Sequence, residues 1–249
     1  MDYISPTQIS MYLSCPFRWA CKYKYNIEPE SKPLKDAYVV GCGLHDIVKE
    51  LKYASPTGPS FTEIQECLEQ RIIELSSKVY SLGGQGVEVP DKNFMQRFKQ
   101  LFKCFSDNYL SKITLWQNVE YELVADIGGV PVKGYVDYYD MDWVYDLKIK
   151  TRKQESFSFP EYIQLGIYSY LTKRNNAKLC IIYYNKEIKY AEVERYYYNT
   201  DYTKIINLIQ NVYHQINDNK NIFLPSRDGK LCSPNYCEYW KYCHQTWGG

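Results

Sequence analysis

The chain has 249 residues, of which 45% are hydrophobic and 24% are charged, and its formal net charge is +1. This length can bury one sizeable core, so we expect a single elaborated domain over residues 1–249. No run reaches the roughly 20 apolar residues of a membrane span, and residues 1–10 lack a signal-peptide pattern, so we expect a cytoplasmic protein without membrane contact. Local charge governs nucleic-acid binding, so the near-zero net charge excludes no such partner.

Residues 1–112 are predicted to be mainly helical. Ser5 is a favourable N-cap residue before Pro6 at the first helical position, and this helix should end near Pro16. Apolar residues at helical spacing predict further helices over residues 38–53, from Thr62 to the glycines at 83 and 84, and over residues 91–111. Tyrosine is frequent, with 27 copies. We expect most to be half-buried strand residues and a minority to stack on unpaired bases.

The periodicity changes after residue 112, and residues 113–218 are predicted to hold the central sheet. Alternating patterns indicate strands over residues 116–125, 130–140 and 143–149, with a hairpin at residues 127–129. A helix over residues 160–173, strands over 178–184 and 188–198, and a helix over 201–217 follow. The last segment, residues 219–249, is predicted to be a loop that carries cysteines.

Asp146 and Lys148 are two residues apart on the third predicted strand, so their side chains should point to the same face. Asp137 lies on the preceding strand, which can bring its carboxylate next to that of Asp146. Two carboxylates are suitable ligands for a divalent cation, and a lysine beside them can act on water or on a phosphate. Ordinary solvated charges at strand ends remain the alternative, because an Asp-x-Lys triplet alone is common.

Three further motifs accompany this triplet. Gly41 and His45 lie one turn apart on a predicted helix, Gly134 precedes Asp137 by three residues, and Gln164 and Tyr168 share a helix face after the triplet. In this order, the four motifs resemble the RecB-like branch of the PD-(D/E)XK nucleases, over nearly the whole chain.

The resemblance implies an α/β (α+β) restriction-endonuclease-like fold, with a central mixed sheet flanked by helices, an N-terminal helical region and a cysteine-bearing C-terminal tail. It also implies a Mg²⁺ or Mn²⁺ site, in which the imidazole would favour Mn²⁺. Lys148 would orient or deprotonate the attacking water, and Gln164 and Tyr168 would hold the DNA backbone. The implied metal ligands are the side chains of His45, Asp137 and Asp146 and the carbonyl of Leu147. Glu120 and Glu122 are possible helpers for a second metal, although a solvated strand face is the preferred interpretation of both.

Nine cysteines in a chain expected in a reducing compartment argue against a disulfide framework. Cys15 occupies the place of the first cluster ligand in iron–sulfur members of the family, and three more cysteines lie near the C-terminus. The resemblance therefore implies a 4Fe–4S cluster on Cys15, Cys232, Cys237 and Cys243. Thiolates alone do not distinguish a cluster from zinc. The spacing from Cys232 to Cys237 is wider than is usual in the family, which gives zinc some support, and Cys21 could substitute for a ligand.

The resulting prediction is a metal-dependent DNA nuclease, a single-strand exonuclease with possible endonuclease activity, that acts on single strands or free ends. Its partners would be a helicase or CRISPR-adaptation proteins, although Tyr138 stands where many CRISPR-associated members have arginine. One alternative is a nucleic-acid-binding or assembly subunit of a CRISPR-adaptation or recombination complex with little nuclease activity. The other is a zinc-bearing structural protein with coincidental motifs.

Overall fold

The computed structural model describes residues 2–30, 36–54, 92–218, 220–227 and 232–248. Seven α-helices lie in these ranges: α1 (Pro6–Ser14), α2 (Pro16–Tyr23), α3 (Asp36–Ala54), α4 (Lys92–Asn108), α5 (Phe159–Thr172), α6 (Asn199–Asn217) and α7 (Trp240–Trp247). The helix predicted from Thr62 lies outside the described residues. None of the described helices is long and apolar enough to cross a membrane.

Five strands form one mixed sheet in sequence order: β1 (Val119–Ile127), β2 (Val130–Tyr139), β3 (Trp143–Lys150), β4 (Asn176–Tyr183) and β5 (Lys189–Tyr196). The pairs β2–β3 and β4–β5 are antiparallel, whereas β3 and β4 are parallel. A parallel pair needs a crossover connection, and α5 lies within it. This is the restriction-endonuclease-like α/β arrangement that the resemblance implies.

The chain divides into two compact units. One comprises the described residues within 34–123 and 135–199, and the other comprises those within 1–33, 124–134 and 200–249. In the first unit, α3 and α4 supply apolar residues to a core that includes Tyr145 and Leu147 of β3. Strand alternation then turns Asp146 and Lys148 to the other side of β3. Both α3 and α5 contact β3.

Contacts between distant segments of the chain hold the second unit together. Ile4 forms a parallel bridge with Val132, and the rings of Tyr12 and Trp19 meet edge to face with centroids 6.0 Å apart. Arg18 binds both carboxylate oxygens of Glu238, at 2.9 to 3.1 Å, and so attaches the C-terminal tail to α2.

Two helices of the second unit were not anticipated from the sequence. The prediction that residues 219–249 are loop-like is wrong at α7, and Pro16 begins α2 as well as following α1. In α7, the ring of Tyr242 stacks on Phe17 with centroids 6.0 Å apart, and Trp247 meets the same ring at 5.9 Å. Long-range aromatic packing thus stabilises this short C-terminal helix.

Candidate metal centre

Asp146 and Lys148 form an ion pair on β3. The Nζ of Lys148 lies 2.8 Å from Oδ1 and 2.8 Å from Oδ2 of Asp146, whose residue is only 1% exposed. Burial raises the pKa of Asp146 to about 6, although the charge of Lys148 opposes this rise. Burial alone would lower the pKa of Lys148, but Asp146 and Asp137 raise it above its ordinary value. The ammonium group is therefore held in its charged form.

Asp137 reaches the same place from β2. Tyr138 is the register partner of Tyr145, and their rings stack with centroids 5.1 Å apart, which sets the alignment of the two strands. Oδ2 of Asp137 accepts a hydrogen bond from the backbone N–H of Leu147 at 2.7 Å. Burial raises the pKa of Asp137, while the positive charges of His45 and Lys148 act in the opposite direction.

His45 on α3 faces two carboxylates. Its Nδ1 lies 2.8 Å from Oε1 of Glu120 and 3.7 Å from Oδ1 of Asp137. Burial alone would lower the pKa of His45, but the charge of Asp137 and the hydrogen bond with Glu120 raise it to about 9. One ligand atom from each of these three residues lies within 4.8 Å of the others. Among the described residues, this is the group that can hold a metal ion.

Glu120 contributes more to this site than its sequence pattern predicted. Its side chain is 15% exposed and bonds His45, whereas Glu122 is exposed and accepts a hydrogen bond from Tyr135. The prediction of a solvated strand face is therefore right for Glu122 and wrong for Glu120. Glu120 has a φ of +43°, a strained value for a residue with a side chain. Val119, the residue before Glu120, accepts a hydrogen bond at its carbonyl from Lys52 on α3, at 2.7 Å.

Asp146 lies beside this group and is not one of its three members. Its Oδ2 is buried and has no hydrogen-bond partner among the described residues, although the ammonium of Lys148 is close. A buried carboxylate oxygen without a hydrogen bond is costly unless a cation compensates it. The N–H of Leu147 donates to Asp137, and ligation of a metal ion by the Leu147 carbonyl stays a prediction.

Gln164 and Tyr168 on α5 are next to the acidic residues. Tyr168 is 4% exposed, and burial is the main reason why its pKa is raised, with a further contribution from Asp137. Gln164 hydrogen-bonds the Tyr168 hydroxyl. The start of α5 is fixed to the end of β3, because Glu161 of the capping box accepts a hydrogen bond from Lys150. The Tyr168 hydroxyl and the Gln164 amide thus form one hydrogen-bonded pair near Asp137.

The predicted thiolate ligands lie in the other unit. Cys21 is fully buried with Phe17 and Tyr239, and Cys15, Cys237 and Cys243 pack against this cluster. Burial, followed by the charges of Cys243, Cys15 and Cys237, raises the pKa of Cys21 to about 12. The pKa of Cys243 is also raised, mainly by burial and to a smaller extent by the charges of neighbouring thiols that include Cys232. All of these cysteines are free thiols.

Comparisons with known proteins identify the family and the fold. Residues 3–244 match the PD-(D/E)XK nuclease superfamily. No curated protein gives a significant sequence match. A crystal structure from Eubacterium rectale, described as a candidate exonuclease, has a TM-score of 0.63 at 12% identity, over 93% of this chain and 87% of the other. That likeness concerns the fold alone. A second structure, of SSO0001, has a TM-score of 0.45 at 16% identity, over 97% of this chain and 85% of the other.

Proposed function

The chain belongs to the PD-(D/E)XK nuclease superfamily, and on this basis we propose that it is a metal-dependent DNA nuclease of the RecB-like branch, acting as a single-strand exonuclease. The observation that carries this proposal is the convergence of His45, Glu120 and Asp137 next to the buried pair of Asp146 and Lys148. Nucleases of this superfamily use divalent metals, and a nucleic acid is the substrate that the fold suggests.

The side chains suit a divalent cation. Carboxylate oxygens with one imidazole form a donor set that accepts Mg²⁺ and favours Mn²⁺ more strongly. The buried carboxylate of Asp146, which Lys148 holds at 2.8 Å, offers a further oxygen ligand next to these three residues. His45, Glu120, Asp137 and Asp146 would hold the ion. When bound, it would act as a Lewis acid on the phosphate and lower the pKa of water.

The remaining side chains would act on substrate and water. Lys148 keeps its proton and lies against the carboxylate of Asp146, so its ammonium can orient water and stabilise charge that develops on the phosphate. Gln164 and the Tyr168 hydroxyl offer uncharged donors on the same side of the site. In this proposal they position the DNA backbone for in-line attack.

Cleavage of labelled DNA tests the assignment. We expect the wild type to degrade linear single strands in Mn²⁺, leaving circular single strands intact if it needs an end. Asp146→Asn keeps the shape of the side chain and should lose activity by at least about a hundredfold, as expected for a lost ligand. Glu122→Gln is the matched control. Equal activity of wild type and Asp146→Asn would contradict the nuclease proposal and favour the binding or assembly subunit.

We also propose that Cys15, Cys232, Cys237 and Cys243 hold a structural 4Fe–4S cluster. Cys15 is the N-cap of α2, and its sulfur accepts hydrogen bonds from the N–H groups of Arg18 and Ser226, each at 3.4 Å. A helix N-terminus and N–H donors stabilise a thiolate.

Metal analysis and absorbance test this second centre. The purified protein should contain iron and sulfide and absorb visible light, and Cys243→Ala should lose that absorbance and lower the thermal midpoint. The buried Cys21 is an alternative ligand, so Cys21→Ser should leave the absorbance intact if the four-residue assignment is right. Stoichiometric zinc without iron would contradict the cluster. A helicase or CRISPR-adaptation partner and a cytoplasmic location remain part of the proposal.

A further inference from the structure

A small cavity lies between the end of α3 and the turn that leads into β1. Its volume is about 280 Å³, and it is lined by Lys52, Tyr53, Trp116 and Gln117. Pockets for drug-sized ligands are usually about 300 to 1,000 Å³, so this space suits one small planar group. None of its four lining residues belongs to the motifs of the sequence analysis.

The residues that line the cavity belong to the same two segments, α3 and the start of β1, that carry His45 and Glu120. Lys52 follows His45 by seven residues on α3, which is about two turns, so both lie on one side of the helix. The residues Trp116 and Gln117 form a short 3₁₀ turn that leads into Val119 and Glu120 of β1. Lys52 donates to the Val119 carbonyl at 2.7 Å. A ligand in the cavity would therefore lie close to a phosphate at His45 and Glu120.

The lining residues can recognise a nucleobase. Tyr53 is 71% exposed, so most of its ring is left uncovered by the described residues. Trp116, at 9% exposure, forms the more buried wall of the cavity. Aromatic rings stack on the faces of unpaired bases without regard to sequence. Gln117 can hydrogen-bond a base edge, and Lys52 supplies a positive charge for the backbone next to that base. The ammonium of Lys52 also lies 5.9 Å from the centre of the partly exposed Tyr121 ring.

We propose that this cavity binds one unpaired nucleobase of the strand whose phosphate occupies the metal centre. The inference rests on the proposed nuclease function and extends it to substrate choice. In a duplex, neighbouring bases cover both faces of a base and its partner occupies the pairing edge. An unpaired base has these surfaces free, so the cavity selects single strands.

Binding without cleavage tests the subsite. Short oligothymidylates carrying one 2-aminopurine at successive positions are titrated with the protein in Ca²⁺ and without Mg²⁺ or Mn²⁺, so that a cation faces the phosphate while cleavage is suppressed. Stacking lowers the fluorescence of 2-aminopurine. A second series carries one abasic residue at each position. Tyr53→Ala is compared with wild type, Tyr53→Phe retains the ring, and Tyr198→Ala removes an exposed tyrosine that does not line the cavity. Thermal unfolding verifies that each variant is folded.

In the wild type, we expect one position to be quenched and the abasic residue at that position to weaken binding by about tenfold, the loss of one stacked base. Tyr53→Ala should weaken binding of the intact oligonucleotide similarly and remove both position-specific effects. Tyr53→Phe and Tyr198→Ala should resemble the wild type. Unchanged affinity of Tyr53→Ala, or an equal abasic penalty in both proteins, would overturn the subsite. A protein that shows these binding effects but never cuts DNA would instead contradict the nuclease proposal.

Discussion

Nδ1 of His45 lies 2.8 Å from Oε1 of Glu120, although the two residues are 75 positions apart in the chain. This contact connects α3 to the beginning of β1, and the 3.7 Å separation of the same nitrogen from Asp137 completes a three-residue group. The carboxylate of Glu120 can therefore ligate a cation itself or hold the imidazole that does. Partners that orient a ligating histidine contribute strongly to metal affinity.

Glu120→Gln is expected to weaken Mn²⁺ binding by about 10- to 100-fold, because the variant loses a negative charge next to His45. Isothermal titration calorimetry on the purified protein measures the affinity directly. Glu122→Gln changes the same residue type two positions later on β1, where the side chain is exposed, and should bind Mn²⁺ as the wild type does. Equal affinities for both variants would show that Glu120 has no part in the centre.

Lys148→Met is expected to destabilise the protein by about 3 kcal/mol at pH 7, because it leaves the buried carboxylate of Asp146 without its ion-pair partner. Combining Lys148→Met with Asp146→Asn removes the negative charge that Lys148 compensates. The double variant should therefore be more stable than the sum of the two single effects predicts. Urea unfolding of the four proteins in metal-free buffer measures this coupling, and simple additivity would argue against a strong pair.

Gly41→Ala is expected to be tolerated, although Gly41 belongs to the motif that ends at His45. A Cβ at this position would meet Ile149 at 3.6 Å, an ordinary contact, and alanine favours a helix interior by about 0.5 to 1 kcal/mol. Gly128→Ala is the contrasting variant. Its φ of +63° disfavours a side chain, and the new Cβ would lie 2.9 Å from Ile206. Thermal melts should show a stable first variant and a destabilised second, while loss of stability in Gly41→Ala would contradict the packing argument.

Glu192 provides a pH-dependent test of the sheet. Burial alone would raise its pKa, but hydrogen bonds from Tyr190, Lys112 and Lys178 lower it to about 2 from an ordinary value of 4.5. A carboxylate with a depressed pKa in the folded protein stabilises the fold above the unfolded pKa, and this contribution is lost as the pH falls towards about 2. Glu192→Gln should therefore be less stable than wild type at pH 7, and the difference should shrink below pH 4.5.

Denaturant unfolding at several pH values measures this difference. The control is Glu187→Gln, because the Glu187 side chain is 72% exposed in its pair with Lys189 and such pairs contribute little to stability. A constant difference between wild type and Glu192→Gln from pH 7 to pH 3 would contradict the assigned network.

Short-range patterns in the sequence predicted the sheet well. Alternating polar and apolar residues identified all five strands. In β3, this alternation correctly placed the side chains of Asp146 and Lys148 on one face and those of Tyr145 and Leu147 on the other. The same rule failed for Glu120, because alternation groups it with Glu122 on one face. The positive φ at Glu120 interrupts that alternation, and such a local change in backbone direction has no signature in residue types. Helix α7 was missed because contacts with Phe17 stabilise it, and these involve residues more than 220 positions away.

By itself, the sequence determined that Asp137, Asp146 and Lys148 lie on neighbouring strands and that Asp146 and Lys148 share a face, because side-chain periodicity is a local property. Only the tertiary structure decided that Glu120 joins His45 and Asp137, that Asp146 is held by Lys148, and that Lys52 and Trp116 border one cavity. These relations depend on where α3 packs against the sheet. Such packing is set by the combined burial of many distant side chains, and no short segment of the chain encodes it.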